Sequence, residues 1–324
     1  MTEYSILDLV PVREGGTLGE AFDAATSLAR ASEELGCKRY WVAEHHAMEG
    51  IAGGATSVVL AHIGNATSTI RIGSGGIMLP NHTPFQIAEQ FGTLDALFPG
   101  RVDLGLGRAP GAGPELQRAL RKDLHRAAEM FPQDVVELMA LMAGETEIHP
   151  TPGLGAKPQF WMLGSSLFGA HLAARLGMPY AFASHFAPDH LDAALEVYRR
   201  DFQPSDQCAN PHVMAAMNLF CARSHEDAET LATSQMQAFV ALRTGRPAKL
   251  KPPIEGYREQ LPGPAQAMLS HIGQASAIGT PEDCANAVRN FIERTKADEI
   301  IFAGPTFEPE ARIASLELAM QALG

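Results

Sequence analysis

The residues best suited to do chemistry in this sequence are Glu44, His45 and His46, which follow the apolar run Tyr40–Ala43. Such a run is typical of a short, fully buried strand, and titratable side chains at its end are costly unless they face a cavity. Successive side chains of a strand point to opposite faces, so Glu44 and His46 share one side and His45 takes the other. We therefore expect one imidazole to reach a pocket, where it could transfer a proton near neutral pH, and its neighbour to support the loop.

The same spacing argues against a metal site. His45 and His46 are adjacent, so their imidazoles diverge and cannot easily bind one ion. The sequence also contains no His-Glu-x-x-His motif. We expect no metal.

A glycine-rich segment, Gly73-Ser74-Gly75-Gly76, is the next candidate and falls at the end of a predicted strand, Ile70–Ile77. Glycines adopt unusual backbone angles and let a flat ligand lie directly against the backbone. The alternative is a tight turn between a strand and a helix.

Two segments could bind an anion. Arg108 follows the apolar strand Val102–Leu106, where its permanent charge suits a phosphate, although a structural ion pair is the alternative. The segment Leu163-Gly164-Ser165-Ser166 joins a strand to the predicted helix Leu167–Leu176 and would present N–H groups, hydroxyl groups and the positive end of the helix dipole. Simple N-capping by Ser165 or Ser166 is the alternative, and phosphate binding does not exclude it.

These segments must be held by the elements between them, which alternate between strands and amphipathic helices. Eight strands without a hairpin predict a (β/α)₈ TIM barrel that forms a single domain over residues 1–324, with an open doubly wound sheet as the alternative. The predicted strands are Ser5–Val10, Tyr40–Ala43, Ile70–Ile77, Val102–Leu106, Phe160–Leu163, Tyr180–Ala183, Val213–Cys221 and Glu299–Phe302.

Two stretches depart from this alternation. Residues 114–143 have a helical pattern that we expect to break at Pro132. Residues 244–274 are rich in proline, glycine, lysine and arginine and show no sustained apolar period, which predicts an extended loop that is either a lid or a linker.

Composition limits the partners and the compartment. The formal net charge is −12, and no cluster of lysine or arginine offsets it, so we expect neither nucleic acid nor a membrane surface as a partner. The four cysteines lie far apart and form no Cys-x-x-Cys pair, which favours a reduced, cytoplasmic protein.

Taken in their order along the chain, the candidate segments resemble a known family, the bacterial-luciferase-like flavin-dependent monooxygenases. The resemblance is nearest to its single-chain group-1 oxidoreductases, which are not light-emitting. It rests on Trp41–His46, Gly73–Pro80, Gly100–Arg108, Leu163–Ser166, Gly279–Glu282 and Asp298–Ile301.

The resemblance implies a barrel that binds FMN at the carboxyl ends of its strands, commonly as a homodimer. Reduced flavin, FMNH2, would react with oxygen to give a C4a-peroxyflavin that oxygenates a small organic substrate. The near match Gly105–Gly111 has Pro110 at the third glycine position, so no nicotinamide fingerprint is visible and a separate flavin reductase would supply FMNH2.

The resemblance also assigns roles. His45 matches the active-site histidine, with Glu44 and His46 beside it, and Gly75-Gly76 match a pair under the isoalloxazine ring that is often joined by a non-proline cis peptide. The FMN phosphate contacts fall on Arg108 and on Leu163, Gly164, Ser165 and Ser166. A reactive cysteine of luciferase is replaced by Gly107, which argues against light emission.

Two other functions stay open at this point. Relatives with the same fold use the deazaflavin F420 for hydride transfer, which needs no oxygen. A non-catalytic protein that stores or sequesters flavin is the third possibility, and in that case His45 would have no chemical role.

Overall fold

The computed structural model describes residues 2–109 and 114–324. Part of the fingerprint-like segment Gly105–Gly111 therefore lies outside the described residues. Eight parallel strands close into a barrel, because each pairs with the next and the last pairs with the first. The barrel strands are β1 Glu3–Asp8, β2 Arg39–Val42, β3 Arg71–Met78, β4 Val102–Gly107, β5 Gln159–Gly164, β6 Tyr180–Phe182, β7 Val213–Cys221 and β9 Glu299–Ala303.

Helices surround this barrel, which confirms the predicted (β/α)₈ TIM architecture. They are α1 Leu18–Glu34, α2 Thr56–Ala66, α3 Pro84–Leu97, α4 Pro114–Leu120, α5 Leu124–Ala143, α6 Leu167–Leu176, α7 Leu191–Asp201, α8 His225–Arg243, α9 Gly263–Ile272, α10 Pro281–Thr295 and α11 Pro309–Leu323. Among the described helices, none combines the length and the apolar character that a bilayer crossing requires.

A ninth strand, β8 Ser276–Gly279, was not predicted from the sequence. It is short and pairs only with the second half of β7, from Asn218 to Cys221. Asn218 also pairs with Ala303 of β9, so β8 lies on the other side of β7 and extends the sheet beyond the end of β6. Four residues that include a glycine give too weak a pattern to separate a strand from a loop.

The expectations for the two irregular stretches are partly wrong. α5 runs through Pro132 without a break, because its buried stripe of Phe131, Val135 and Leu138 holds the helix in place although proline removes one backbone hydrogen bond. Residues 244–274 are not loop throughout, since α9 occupies Gly263–Ile272.

The amino-terminal half of the 244–274 stretch is anchored to the barrel. Leu250 is buried, its N–H donates to the Val12 carbonyl, and its own carbonyl accepts from Glu14. Whether the stretch acts as a lid stays a prediction.

The interior of the barrel is apolar in its middle and charged at its base. Trp41 and Trp161 meet edge to face with ring centroids 5.2 Å apart. Space for Trp41 comes from Gly73, where an added Cβ would lie 2.7 Å from the indole Nε1. Below them, Arg39 lies between two buried carboxylates, Asp103 at 3.0 Å and Glu299 at 3.0 Å.

Each group at the base has its partners. The Arg39 guanidinium also donates to Gln159 and lies 4.8 Å from the centre of the Trp161 ring. Burial alone would lower the pKa of Arg39, but the two carboxylates raise it above its usual value. The guanidinium therefore joins β2, β4, β5 and β9 at the amino-terminal end of the barrel, opposite the predicted site.

We expect Arg39→Met to destabilise the protein strongly, because it removes the buried cation that Asp103 and Glu299 share and leaves Asp103 only the partly exposed Arg71. Removing one partner of a buried ion pair costs about 3–5 kcal/mol, which denaturant-induced unfolding at neutral pH would measure. The control is Arg294→Met, whose ion pair with Asp192 is largely exposed and for which we expect a loss below about 1 kcal/mol. Equal losses in the two variants would contradict this interpretation.

Candidate active site

A cavity of about 340 Å³ opens at the carboxyl ends of the barrel strands, between β1 to β6 and the helices α6 and α8. Most of the predicted site residues line it together. They are Glu44, His45, Gly75, Gly76, Arg108, Leu163, Gly164, Ser165 and Ser166. His46 does not line the cavity, and its imidazole contacts the carboxylate of Glu44 instead.

Glu44 is fully buried and accepts three hydrogen bonds. His46 and His82 each approach the same carboxylate oxygen with Nε2, the latter at 2.7 Å, and the Met78 N–H donates to the other oxygen at 2.9 Å. Burial alone would raise the pKa of Glu44, but these hydrogen bonds lower it to about 2. The hydrogen bond that His46 donates to Glu44 in turn raises the pKa of His46 above 6.5. Glu44 is thus an anchored carboxylate rather than a free base.

His82 is the member of this cluster that sequence reasoning missed. It follows the 3₁₀ turn Leu79–Asn81 after β3, as His45 follows β2, and that similarity was the available signal. The ligand atoms of Glu44, His46 and His82 lie within 4.8 Å of one another, and one carboxylate with two imidazoles could bind a metal ion. The argument from the adjacent His45 and His46 did not cover this combination. Hydrogen bonds already satisfy the carboxylate here, so the cluster fixes the loops after β2 and β3.

His45 lies on the other side of the chain, as the alternation of side chains predicted, and lines the cavity. Its Nδ1 is buried and has no hydrogen-bond partner among the described residues. Burial lowers the pKa of His45 below 6.5, although the Glu44 carboxylate acts in the opposite direction. The imidazole is therefore neutral at pH 7 and can either donate or accept a proton.

Gly75 and Gly76 form the floor of the cavity beside β4. The peptide bond between them is cis, as the family resemblance implied. A Cβ at Gly76 would lie 2.8 Å from the Gly105 carbonyl oxygen, so only glycine allows the two strands to approach this closely. The pairing of β3 with β4 also shifts between Ser74 and Ile77, which marks the same place.

The carboxyl end of β5 leads directly into α6, whose amino terminus faces the cavity. Ser166 occupies the N-cap position, yet its side chain makes no capping hydrogen bond. Elsewhere in the fold Thr17, Thr83, Asp123, Ser224 and Thr280 do cap their helices. Simple capping therefore does not explain Ser166, and the N–H groups of the first turn of α6 are left for another partner.

Arg108 is next to this helix terminus. Its guanidinium carbon lies 3.9 Å from the centre of the Phe168 ring in the first turn of α6. Within the described residues, Arg108 forms no ion pair, so the structural alternative considered from the sequence is not observed there. Stacking on Phe168 holds an unpaired cation beside an uncapped helix terminus.

Comparison with known proteins decides the family. The sequence model of the luciferase-like monooxygenases matches residues 2–299. The chain belongs to the luciferase-like monooxygenase family. It is therefore an enzyme of the flavin-dependent monooxygenase and oxidoreductase class.

Two relatives within this family are similar over nearly the whole chain. A luciferase-like monooxygenase of Escherichia coli K12 is 46% identical over 98% of this chain and 96% of its own length. An N-acetyl-S-alkylcysteine monooxygenase of Bacillus subtilis is 30% identical over 100% of this chain and 98% of its own.

Solved structures of the luciferase-like fold agree with the architecture. Apo-MsnO8 superposes with a TM-score of 0.92 at 29% identity, covering 99% of this chain and 98% of its own. The oxygenating constituent of 3,6-diketocamphane monooxygenase from Pseudomonas putida, in complex with FMN, has a TM-score of 0.74 at 17% identity. The match covers 100% of this chain and 98% of its own. An F420-dependent secondary alcohol dehydrogenase has a TM-score of 0.70 at 14% identity, and the match covers 100% of this chain and 99% of its own. The last two show the fold alone.

The anchored carboxylate should make stability depend on pH in a defined way. Its lowered pKa contributes stability that is fully present above about 4.5 and is lost as the pH falls through about 2. The raised pKa of His46 contributes stability that is lost as the pH rises above that pKa. We therefore expect the difference in free energy of unfolding between the native sequence and Glu44→Gln to be largest near about pH 5–6.

Urea unfolding at a series of pH values measures this difference. The control is Glu129→Gln on α5, where the carboxylate is 68% exposed and the difference should stay nearly constant. A Glu44→Gln difference that grows toward pH 2 would contradict the assignment.

Proposed function

We propose that this luciferase-like protein is an FMN-dependent monooxygenase that uses FMNH2 and oxygen to oxygenate a small organic substrate. The observation that carries the proposal is the amino terminus of α6, which has no side-chain cap, beside Arg108, which forms no ion pair with the described residues. Both lie in the same cavity as Gly75, Gly76 and His45. One end of this cavity is suited to a phosphate and the other to a flat ring.

The phosphate end follows from elementary electrostatics. Free N–H groups and the dipole of α6 favour an anion, and Ser165 and Ser166 add hydroxyl donors beside them. Arg108 adds a full positive charge with N–H groups that can bind two phosphate oxygens at once. These residues would hold the FMN phosphate.

The ring end is built from backbone and apolar side chains. Gly75 and Gly76 form the floor of the cavity and carry no side chains, so the isoalloxazine would lie directly on their backbone. Leu7 and Leu163 add apolar surface at the same level. When bound, the reduced flavin supplies the electrons for oxygen activation. Apolar walls exclude water from that chemistry.

His45 would act at the ring end. The residue lines the cavity, its Nδ1 has no partner among the described residues, and burial lowers its pKa, so at neutral pH it can donate or accept a proton. Glu44, held by His46 and His82, would keep the loop that carries His45 in place. We assign catalytic contact to His45 and a positioning role to Glu44 and His46.

The proposal also includes the reductase partner, the oligomeric state and the cellular compartment. FMNH2 would come from a separate reductase, and the enzyme would act as a homodimer in the cytoplasm. The free cysteines Cys37, Cys208, Cys221 and Cys284 are consistent with a reducing compartment.

Arg108→Gln should weaken FMN binding without weakening riboflavin binding, because only FMN carries the phosphate. Hydrogen bonds to a charged group contribute about 1.5–3 kcal/mol, so the dissociation constant for FMN should rise by about tenfold or more. Fluorescence titration with both flavins measures this. Arg175→Gln, at the other end of α6, is the control and should change neither affinity. An equal loss for both flavins would place Arg108 elsewhere than on the phosphate.

His45→Ala should abolish most turnover while FMN remains bound. Loss of a general acid–base group costs about 10²–10⁴-fold in rate. A substrate screen with FMNH2 and oxygen finds the product whose mass has increased by one oxygen atom, and the rate at which that product forms measures turnover. His190→Ala, at the exposed N-cap of α7, is the control.

The same assay separates the F420-dependent alternative. An F420-dependent hydride transferase would reduce its substrate with reduced F420 and would not add an oxygen atom to it in the presence of FMNH2. Because the family shows an enzyme, a non-catalytic flavin-storage role is not retained.

A further inference from the structure

A second histidine, His185, lines the same cavity from the loop after β6. Its Nδ1, like that of His45, is buried and has no hydrogen-bond partner among the described residues. A buried polar atom without a partner costs about 1–3 kcal/mol, and such atoms in native proteins call for an explanation. Two unpartnered imidazole nitrogens in one cavity are explained if a ligand supplies their hydrogen bonds.

The loop that carries His185 is held from several sides, so its position is set by the fold. The Ser184 hydroxyl donates to the Ala216 carbonyl at 2.6 Å, and the Phe186 N–H donates to the Ala183 carbonyl at 3.2 Å. The side-chain amide of Asn218, at the branch between β8 and β9, donates to the His185 carbonyl at 2.9 Å. These bonds fix the backbone and leave the imidazole ring for the cavity.

The cavity divides into two halves of different character. The half formed by β3, β4 and β5 contains the glycines, Arg108 and the α6 terminus, which are assigned to FMN. The half formed by β1, β2, β6 and α8 is walled by apolar side chains, and His45 and His185 also line it. The walls are Leu9, Met48, Ile51, Phe186 and Leu242.

We propose, resting on the FMN assignment above, that His185 is a substrate-binding residue that shares with His45 an uncharged hydrogen-bonding group of the substrate, such as a carbonyl. The electrostatics agree with an uncharged group. Burial and the neighbouring His45 lower the pKa of His185 to about 4, so both imidazoles are neutral at pH 7. Among the described residues that line this half of the cavity, none offers a free charge to an anion or a cation, because the Glu44 carboxylate is already satisfied by its three donors.

The test uses a matched pair of probes, methyl pentyl ketone and hexanoate, which have the same chain length and differ in the charge of the polar end. Binding to the FMN-loaded protein is measured by calorimetry, and imidazole nitrogen shifts are followed by NMR. We expect the ketone to bind and to shift the His185 and His45 signals, and hexanoate to bind more weakly.

Three variants separate a binding role from a structural one. His185→Leu should weaken ketone binding by about three- to tenfold, as expected for one hydrogen bond, and leave FMN affinity unchanged. His185→Asn, which can place an amide near the position of Nδ1, should recover part of the loss. His190→Leu is the same substitution outside the cavity and should change nothing.

Several results would overturn the proposal. Ketone binding that is unchanged in His185→Leu would remove the residue from the subsite, and a parallel loss of FMN affinity would place it on the cofactor. Hexanoate binding as tightly as the ketone would exclude an uncharged subsite. If the native protein bound no FMN, the FMN assignment would fail, whereas the ketone titrations repeated without FMN would still decide the role of His185.

Discussion

The closed barrel depends most directly on the buried ion pairs of Arg39 with Asp103 and Glu299. Arg39 belongs to β2, is buried inside the amino-terminal end of the barrel, and binds carboxylates from β4 and β9. A closed sheet needs its first, middle and last strands in register, and this ion network connects strands that are distant in sequence. The two tryptophans above it fill the middle of the barrel, so that the carboxyl ends can remain open.

The two ends of the barrel differ in how their polar groups are satisfied. At the base, Arg39, Asp103 and Glu299 satisfy one another within the protein. At the mouth, the first turn of α6, Arg108, His45 and His185 retain unused hydrogen-bonding capacity. Glu44 combines features of both ends, because its carboxylate accepts three hydrogen bonds within the protein and yet the residue lines the cavity. The Arg39 network thus supports the base of the barrel, whereas the groups at the mouth lie where a ligand can bind.

The sequence was sufficient for the barrel and for bringing most of the candidate site residues to one cavity, since alternating strands and helices set the architecture and the carboxyl ends of parallel strands must meet. It could not place His82, because a hydrogen bond between loops 38 residues apart leaves no local pattern. α5 was misjudged at Pro132 since packing outweighed the helix propensity of one residue. β8 and α9 were missed because short elements with weak periodicity are settled by tertiary contacts. Whether Ser166 caps α6 was likewise undecidable from residue type, as its hydroxyl could serve either purpose.

The uncapped start of α6 has a consequence for the folded state as a whole. Most of the helix termini for which a serine, threonine or aspartate is available are closed by that side chain, and this closure typically contributes about 1 kcal/mol to stability. At α6 no side-chain cap makes that contribution, and an anion bound there would supply it. Any ligand that binds the native state and not the unfolded chain shifts the folding equilibrium by mass action. The supply of that ligand would then influence how long each copy of the enzyme survives, as well as whether it is active.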